Sequence, residues 1–180
     1  MIEELYIKRI LKGETEAFCH FVSEYKDVAY SLAASVVKDE FTTTDVVQEA
    51  YIKAFENLKS FKGNSKFSTW FFIIVINEAF KFLKKNQIKF PEYNLEVTDS
   101  AKDELENADR AFYVNEILQQ KSPSESLSLR LFYLSENSLK EICEITGWSE
   151  SKTKVTLHRA RKTMEEKLKR LLNHEAKSLL

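Results

Sequence analysis

Apolar residues recur three or four positions apart along most of the chain, which is the spacing of one face of an α-helix. Only three glycines and two prolines interrupt the 180 residues. No segment of convincing length alternates apolar and polar residues, and no Asn-Gly or Asp-Gly pair marks a β-hairpin. The pattern therefore predicts an all-α protein made of two small helical domains joined by a flexible linker.

The first half of the chain is predicted to form four helices, over residues 3–12, 14–38, 45–59 and 68–85. Gly13 ends the first helix, and the threonines at 42–44 are predicted to cap the third. Residues 61–67 contain Gly63 and Asn64 and are predicted to be a loop. Phe67 and Trp70, beside this loop, are expected in the core.

The predicted helix at 45–59 has two contrasting faces. Its inward stripe consists of Val47, Ala50, Tyr51, Ala54 and Leu58. The opposite stripe is acidic with one isoleucine: Asp45, Gln48, Glu49, Ile52 and Glu56. Such a stripe is most often a solvated helix face, but it also suits a protein partner with a basic surface.

Helical spacing is lost between residues 87 and 103, where acidic residues begin to outnumber basic ones, and we expect a solvated tether there. A helix is predicted at 103–120. The sequence Ser122-Pro123-Ser124-Glu125 then predicts a new helix start, because Ser can cap, Pro fits the first helical position and Glu completes a capping box. The predicted organisation is a domain at 1–86, a linker at 87–103 and a second domain at 104–180.

A helix-turn-helix is predicted between residues 138 and 170. Ser138 and Glu141 form a capping box, Gly147 can adopt the positive φ that ends a helix, and Ser149 can cap the next one. The second helix buries residues spaced by three or four: Thr153, Leu157, Ala160, Met164 and Leu168. In this motif the second helix enters the major groove of DNA.

Charge supports a DNA-binding role for that second helix. Residues 149–170 contain eight basic and three acidic residues, in a chain whose net charge is −1. A surface that faces phosphates needs this local excess. A helical hairpin with a solvated basic face is the competing interpretation.

Catalytic chemistry is not indicated. The sequence has no glycine-rich phosphate loop, no H-E-x-x-H helix and no Cys–His cluster, so we expect no enzyme activity, no cofactor and no metal. Cys19 and Cys143 are expected to be small core residues. The longest apolar run, residues 70–76, is far below the ~20 residues of a spanning helix. With no recognisable signal peptide, the sequence predicts a cytoplasmic protein without membrane insertion.

The segment GWSESKTKVTLHRARKTM resembles the fourth conserved region of bacterial sigma factors, and DVVQEAYIKAF resembles the second. The resemblance covers residues 14–86 and 122–168, in the family's order, without the large intervening regions of housekeeping members. It implies an extracytoplasmic-function (ECF) sigma factor that binds RNA polymerase core and directs initiation by recognising −10 and −35 promoter elements.

The resemblance also implies partners and roles. The stripe Asp45, Gln48, Glu49, Ile52 and Glu56 would dock on the clamp helices of the largest polymerase subunit, and the flap would be a further polymerase contact. The −10 strand would meet Lys53, Asn57, Phe61, Lys62, Gly63, Asn64 and Asn77. The −35 duplex would meet Ser151, Lys152, Lys154, Val155, His158 and Arg159. Many relatives are held by an anti-sigma factor, so one is a further candidate partner.

Four positions depart from the family pattern. Thr156 stands where Arg is common and Val155 where Ser is common, so the promoter sequence is expected to differ from the commonest one. Ile73 and Ile76 also stand where Arg is common, which removes two cations from the −10 half of the chain, and Lys81, Lys84 and Lys85 are candidates to replace them. Two alternatives stay open on the residues alone. One is a stand-alone helix-turn-helix regulator that binds operator DNA without polymerase, which leaves the acidic stripe unexplained. The other is a helical interaction protein with no DNA role.

Overall fold

The computed structural model of the protein describes residues 2–85 and 114–178, with side chains described as far as residue 169. The predicted linker and most of the predicted helix at 103–120 lie outside these residues. The described part is helical and contains no strand, which confirms the all-α prediction.

The described helices follow the chain in a simple order. They are α1 (Ile2–Leu11), α2 (Cys19–Val37), α3 (Glu40–Glu56), α4 (Phe67–Lys85), α5 (described over residues 114–119), α6 (Pro123–Tyr133), α7 (Leu139–Thr146) and α8 (Glu150–Ser178). Short 3₁₀ turns lie at Thr15–Phe18 and Leu58–Ser60.

The start of α3 differs from the sequence-based expectation. The cap is Asp39, whose carboxylate accepts the Thr42 backbone N–H at 2.8 Å. Thr43 is buried inside the helix, and its hydroxyl donates to the Asp39 carbonyl at 2.6 Å. The prediction that residues 42–44 form the cap was therefore wrong: Asp39 has the extended backbone that a cap requires, and the threonines are already helical.

The core of the first half is built from aromatic rings on α2, α3 and α4. Phe21 stacks on Phe67 with centroids 3.9 Å apart, and Tyr51 stacks on Phe71 at 4.6 Å. Phe67 is fully buried, as predicted, and Trp70 is half-buried. These stacked rings join α2 and α3 to α4.

The cysteine prediction was wrong for Cys19, which is exposed because it is the first residue of α2 and follows the 3₁₀ turn. Cys143 is partly buried.

The second half has a smaller core in which α8 packs on α6. Leu118, Leu129, Leu157 and Ala160 form this cluster. The predicted start of α6 is confirmed: the Ser122 hydroxyl accepts the Glu125 N–H, and Pro123 is the first helical residue. Leu134, just past the end of α6 at Tyr133, is exposed.

The two halves also pack against each other. Helix α6 contacts α2, and α7 contacts α4. Leu127, Leu131, Ile142 and Ile145 are buried in one apolar cluster together with the core residues of the first half. The predicted domain boundaries stay a prediction, since the linker lies outside the described residues.

Candidate nucleic-acid interfaces

Helix α7 begins with the capping box that the sequence predicts. The Glu141 carboxylate accepts the Ser138 N–H at 2.8 Å, and the Ser138 hydroxyl accepts the Glu141 N–H at 3.3 Å. At the other end, Gly147 has φ +69° and its N–H donates to the Cys143 carbonyl. Both ends of this short helix are thus fixed by local hydrogen bonds, so the direction of the chain entering α8 is fixed as well.

The turn and the start of α8 are held by small polar side chains. The Ser149 hydroxyl accepts the Lys152 N–H at 3.3 Å, which confirms Ser149 as the cap. Thr153 is fully buried, and its hydroxyl lies 3.1 Å from the Ser149 carbonyl and 3.2 Å from the Cys143 sulfur. Thr153 therefore connects α7 to α8 across the turn.

One side of α8 is left in solvent. Thr153, Leu157 and Ala160 are buried, and the −35 candidates occupy an arc of about 160° on the opposite side at 100° per residue. All six candidates are exposed: Ser151, Lys152, Lys154, Val155, His158 and Arg159. We call this set the recognition face.

Two lysines of the recognition face contact other side chains, which was not predicted from the sequence. Lys154 forms an ion pair with Glu150 one turn earlier, and this pairing raises the pKa of Lys154. The Lys152 ammonium lies 4.9 Å from the centre of the Trp148 ring. Both contacts are at the surface, where water and DNA phosphates can replace them at small cost.

The loop between α3 and α4 presents three of the −10 candidates. Lys62, Gly63 and Asn64 are exposed, and Gly63 has φ +71°. Phe61 anchors this loop to the core: its ring centre lies 5.8 Å from that of Phe67 and 5.3 Å from that of Trp70. We call residues 61–64 the −10 loop.

The other −10 candidates are arranged differently. The Lys53 ammonium is paired with Glu78 at 2.5 Å and with Glu49 at 3.3 Å, so it bridges α3 and α4. The Asn57 side chain donates to the Lys53 carbonyl at 2.8 Å and caps the end of α3. Asn77 is exposed on α4. Lys53 and Asn57 are thus engaged in structural contacts, and the one between Lys53 and Glu78 joins two helices, so spacing along the sequence could not reveal it.

The acidic stripe of α3 faces solvent along its whole length. Asp45, Gln48, Glu49 and Glu56 are exposed, and Ile52 is 52% exposed. Phe41 lies on the same face, one turn before Asp45, and is 86% exposed. Phe41 was not among the predicted docking residues, because the predicted helix began after it. We call these six residues the docking stripe.

Arg161 on α8 is a further residue whose role the sequence analysis missed. Its guanidinium lies over the rings of Phe132 at 4.5 Å and Tyr133 at 5.4 Å. This contact stabilises the packing of α8 on α6, so Arg161 holds the recognition face in place.

Comparisons with known proteins decide the family. Sigma-70 region 2 matches residues 21–88, and Sigma-70 region 4 matches residues 115–164. The ECF RNA polymerase sigma factor SigW of Bacillus subtilis (strain 168) is 31% identical, over 92% of this chain and 96% of that protein. The chain belongs to the ECF sigma factors. It is a transcription initiation factor that directs RNA polymerase to specific promoters.

Solved structures support the fold of this ECF sigma factor. The structure of CnrH in complex with the cytosolic domain of CnrY matches with a TM-score of 0.66 at 19% identity, over 92% of this chain and 96% of that one. Sigma factor RpoE of Bartonella quintana, solved with the anti-sigma factor NepR, matches with a TM-score of 0.62 at 21% identity, over 83% of this chain and 97% of that one.

Among residues 2–85 and 114–178, no helix is long and apolar enough to cross a membrane.

Proposed function

We propose that this ECF sigma factor divides its work among three surfaces. The docking stripe on α3 binds RNA polymerase core, the −10 loop holds the nontemplate strand, and the recognition face of α8 reads the −35 duplex. The observation that carries this proposal is the recognition face, where six candidate residues share the exposed side of a helix whose other side is buried.

The recognition face suits a major groove because its chemistry is mixed. Lys152, Lys154 and Arg159 can bind phosphates or base acceptors, and the Val155 side chain, 46% exposed, can contact a thymine methyl group. Phosphate contacts fix position and base contacts give specificity. The recognition face therefore offers both kinds of contact to the −35 duplex.

The −10 loop suits single-stranded DNA. Its backbone at Gly63 has left-handed geometry, and Lys62 and Asn64 offer a cation and an amide to a strand that passes over them. Capturing an unstacked base costs a few kcal/mol, which pocket contacts and aromatic stacking offset by about 1–3 kcal/mol per base. Phe61 is packed against Phe67 and Trp70, so it serves first as the floor of the loop.

The docking stripe suits a basic protein surface. Its carboxylates can pair with cations of the partner, while Phe41 and Ile52 supply apolar contact area that a solvated helix face would not need. On polymerase core, we expect the clamp helices of the largest subunit to occupy this stripe and the flap to contact the second half of the chain. Neither domain needs high affinity alone, because polymerase tethers both.

Charge reversal tests the docking proposal. Asp45→Arg with Glu49→Arg should abolish co-purification with core polymerase, because the stripe then repels a basic partner. The matched control is Glu16→Arg with Glu24→Arg, which makes the same change in net charge on exposed acids away from the stripe. Equal core binding by both variants would remove the assignment.

An anti-sigma factor is a second proposed partner. The relative RpoE was solved with the anti-sigma factor NepR, and the docking stripe is the surface whose coverage would prevent polymerase binding. The stand-alone regulator and the interaction protein without a DNA role lose their support, because both family regions are present in one chain.

A further inference from the structure

Trp148 lies in the turn of the helix-turn-helix, between the end of α7 at Thr146 and the start of α8 at Glu150. It is half-buried, and among the described residues its ring packs against neither core cluster. Trp70, which is also half-buried, does pack against the core of the first half. Core packing therefore does not account for a tryptophan in this turn, and tryptophan is a residue that binding surfaces favour.

The backbone of Trp148 is held in place by α7. Its N–H donates to the Thr146 hydroxyl at 3.3 Å, and that hydroxyl donates to the carbonyl of Ile142, a fully buried residue, at 2.6 Å. Gly147 lies between Thr146 and Trp148 and has φ +69°. The ring is thus carried by a segment that is already ordered in the free chain, so binding through this ring costs less ordering.

The ring lies beside the recognition face. The Lys152 ammonium is 4.9 Å from the ring centre, and the two residues are four positions apart, which is about one helical turn. A cation over a tryptophan ring is attracted by the electrons of its face. Lys154 pairs with Glu150, whereas Lys152 pairs with no carboxylate within residues 2–85 and 114–169. The ring therefore holds an ammonium whose charge is left for a partner.

The chemistry of this pair suits a phosphate. An indole offers one N–H donor and no acceptor, and an ammonium offers three donors and no acceptor. Phosphate oxygens only accept, whereas base edges in the major groove present both donors and acceptors. A phosphate need not displace the ring from Lys152, because the ring occupies only one side of the ammonium. Phosphate contacts of this kind fix the register of a protein on its duplex.

We propose that Trp148 is a further DNA-binding residue. Its indole N–H donates to a phosphate that borders the −35 major groove, and its ring positions the Lys152 ammonium against the same DNA backbone. This role rests on the −35 function proposed above for the recognition face. It extends that face by one residue into the turn, where the residues next to the start of a recognition helix lie close to the groove.

Promoter binding by holoenzyme tests the hydrogen bond. Core polymerase with the full chain is titrated against a labelled promoter fragment at one fixed salt concentration, and fluorescence anisotropy measures the affinity. Trp148→Phe keeps an aromatic ring and removes the N–H, so we expect binding to weaken by about threefold to tenfold. The loss should be the same on −35 elements that differ at single base pairs, because a phosphate contact carries no sequence information.

Tyr133→Phe is the matched control. It also removes one donor from an aromatic ring in the second half of the chain, at a residue that is 57% exposed on α6. We expect its affinity for the promoter to equal that of the unmodified chain. Equal affinity of Trp148→Phe and the unmodified chain would overturn the proposed hydrogen bond.

A scan of neutral phosphates locates the contact. Single methylphosphonates replace the phosphates around the −35 element one at a time, and each fragment is bound by holoenzyme with the unmodified chain or with Trp148→Phe. At the contacted phosphate the two forms should bind alike, since the hydrogen bond is already lost. At the other positions the difference between them should persist. A difference that persists at every position would contradict a phosphate contact.

A double-mutant cycle tests how the ring acts on Lys152. Lys152→Met should weaken binding and reduce the slope of log affinity against log salt by about one. In a chain with Trp148→Leu, the same change should cost less than it does alone, because an ammonium without the ring is no longer held at the phosphate. Additive losses would overturn the positioning role of the ring.

Two further measurements separate this role from the alternatives. Thermal unfolding of Trp148→Leu should match that of the unmodified chain, and a clearly lower transition would show that the ring serves folding instead. The unmodified holoenzyme should bind a fragment with a scrambled −35 element at least tenfold more weakly than the intact one. Binding that ignores the −35 element would overturn the proposed function, whereas −35-dependent binding with no effect of Trp148→Phe would overturn the role of Trp148 alone.

Discussion

Lys154 shows how a single residue can link the local structure of α8 to promoter choice. It lies on the exposed side of the helix and is paired with Glu150 in the free chain. Both partners are more than half exposed, so the pair is weak and DNA can replace it. The Ser149 hydroxyl caps the first turn of α8 by accepting the Lys152 N–H. The negative charge of Glu150 is favourable there, because it lies near the positive end of the helix dipole.

Lys154→Ala should therefore weaken transcription from promoters with an intact −35 element by about tenfold, since one good base contact is worth about 1–3 kcal/mol. The measurement is run-off transcription on paired templates with an intact or a scrambled −35 element. Glu150→Gln, which frees Lys154 from its partner, is the control and should not reduce activity. A similar loss on both templates would show that Lys154 does not read the −35 element.

Glu141 has two roles, as the capping residue of α7 and as the partner of Lys66. Its pKa is lowered from the ordinary 4.5 to about 2, first by the hydrogen bond from Lys66 and then by those from Ser138. A lowered pKa stabilises the folded chain above pH 4.5, and this contribution is lost as the pH falls toward about 2.

Lys66→Met should raise the pKa of Glu141, and acid unfolding should then begin at a higher pH than in the unmodified chain. Circular dichroism against pH measures the transition. Lys62→Met removes a lysine from the adjacent loop and serves as the control, for which we expect no change. An unchanged transition in Lys66→Met would mean that the ion pair contributes nothing to folding.

At the scale of elements, the helix-turn-helix depends on the residue that ends α7. Gly147 has φ +69°, and a Cβ at this position would meet no atom within 4 Å. The cost of a side chain there is consequently one of backbone conformation alone. A substitution at Gly147 therefore measures backbone strain without any contribution from steric crowding.

Gly147→Ala should lower the free energy of unfolding by about 1–2 kcal/mol, because left-handed backbone is unfavourable for alanine. Gly147→Asn should cost less, since asparagine tolerates this region better. Urea denaturation of the three proteins gives the comparison. Equal stability of the alanine and glycine forms would contradict the strain argument.

Elements governed by local hydrogen bonds were predictable from the sequence. The capping box at Ser138 and Glu141, the end at Gly147 and the start at Ser122 and Pro123 each involve residues at most a few positions apart. The cap at Asp39 was missed because three consecutive threonines gave a stronger pattern than one aspartate. The site residues on α8 were predictable as a face, since helical spacing sorts exposed from buried positions.

Contacts between distant residues could not be predicted in this way. Lys53 was assigned to DNA, yet it pairs with Glu78 on α4, and no spacing along one helix connects them. Ser35 and Ser126 are 91 positions apart, and their contact depends on how α2 meets α6. The residue-level assignments to polymerase and DNA stay predictions, because partner geometry is not contained in one chain.

At the scale of the whole molecule, the proposed polymerase-binding and DNA-binding surfaces differ in charge. The chain carries a net charge of −1, yet the recognition helix is locally basic and the docking stripe on α3 is locally acidic. Because the acidic stripe and the basic helix lie on different halves of the chain, one chain can bind a basic protein surface and an anionic duplex at once.

The most direct test of this account is run-off transcription with sigma-free core polymerase, with this chain added to a library of upstream sequences from its own genome. We predict specific transcripts that require the chain and whose start sites share −10 and −35 elements. A folded chain that neither binds core polymerase nor produces any transcript would contradict the account.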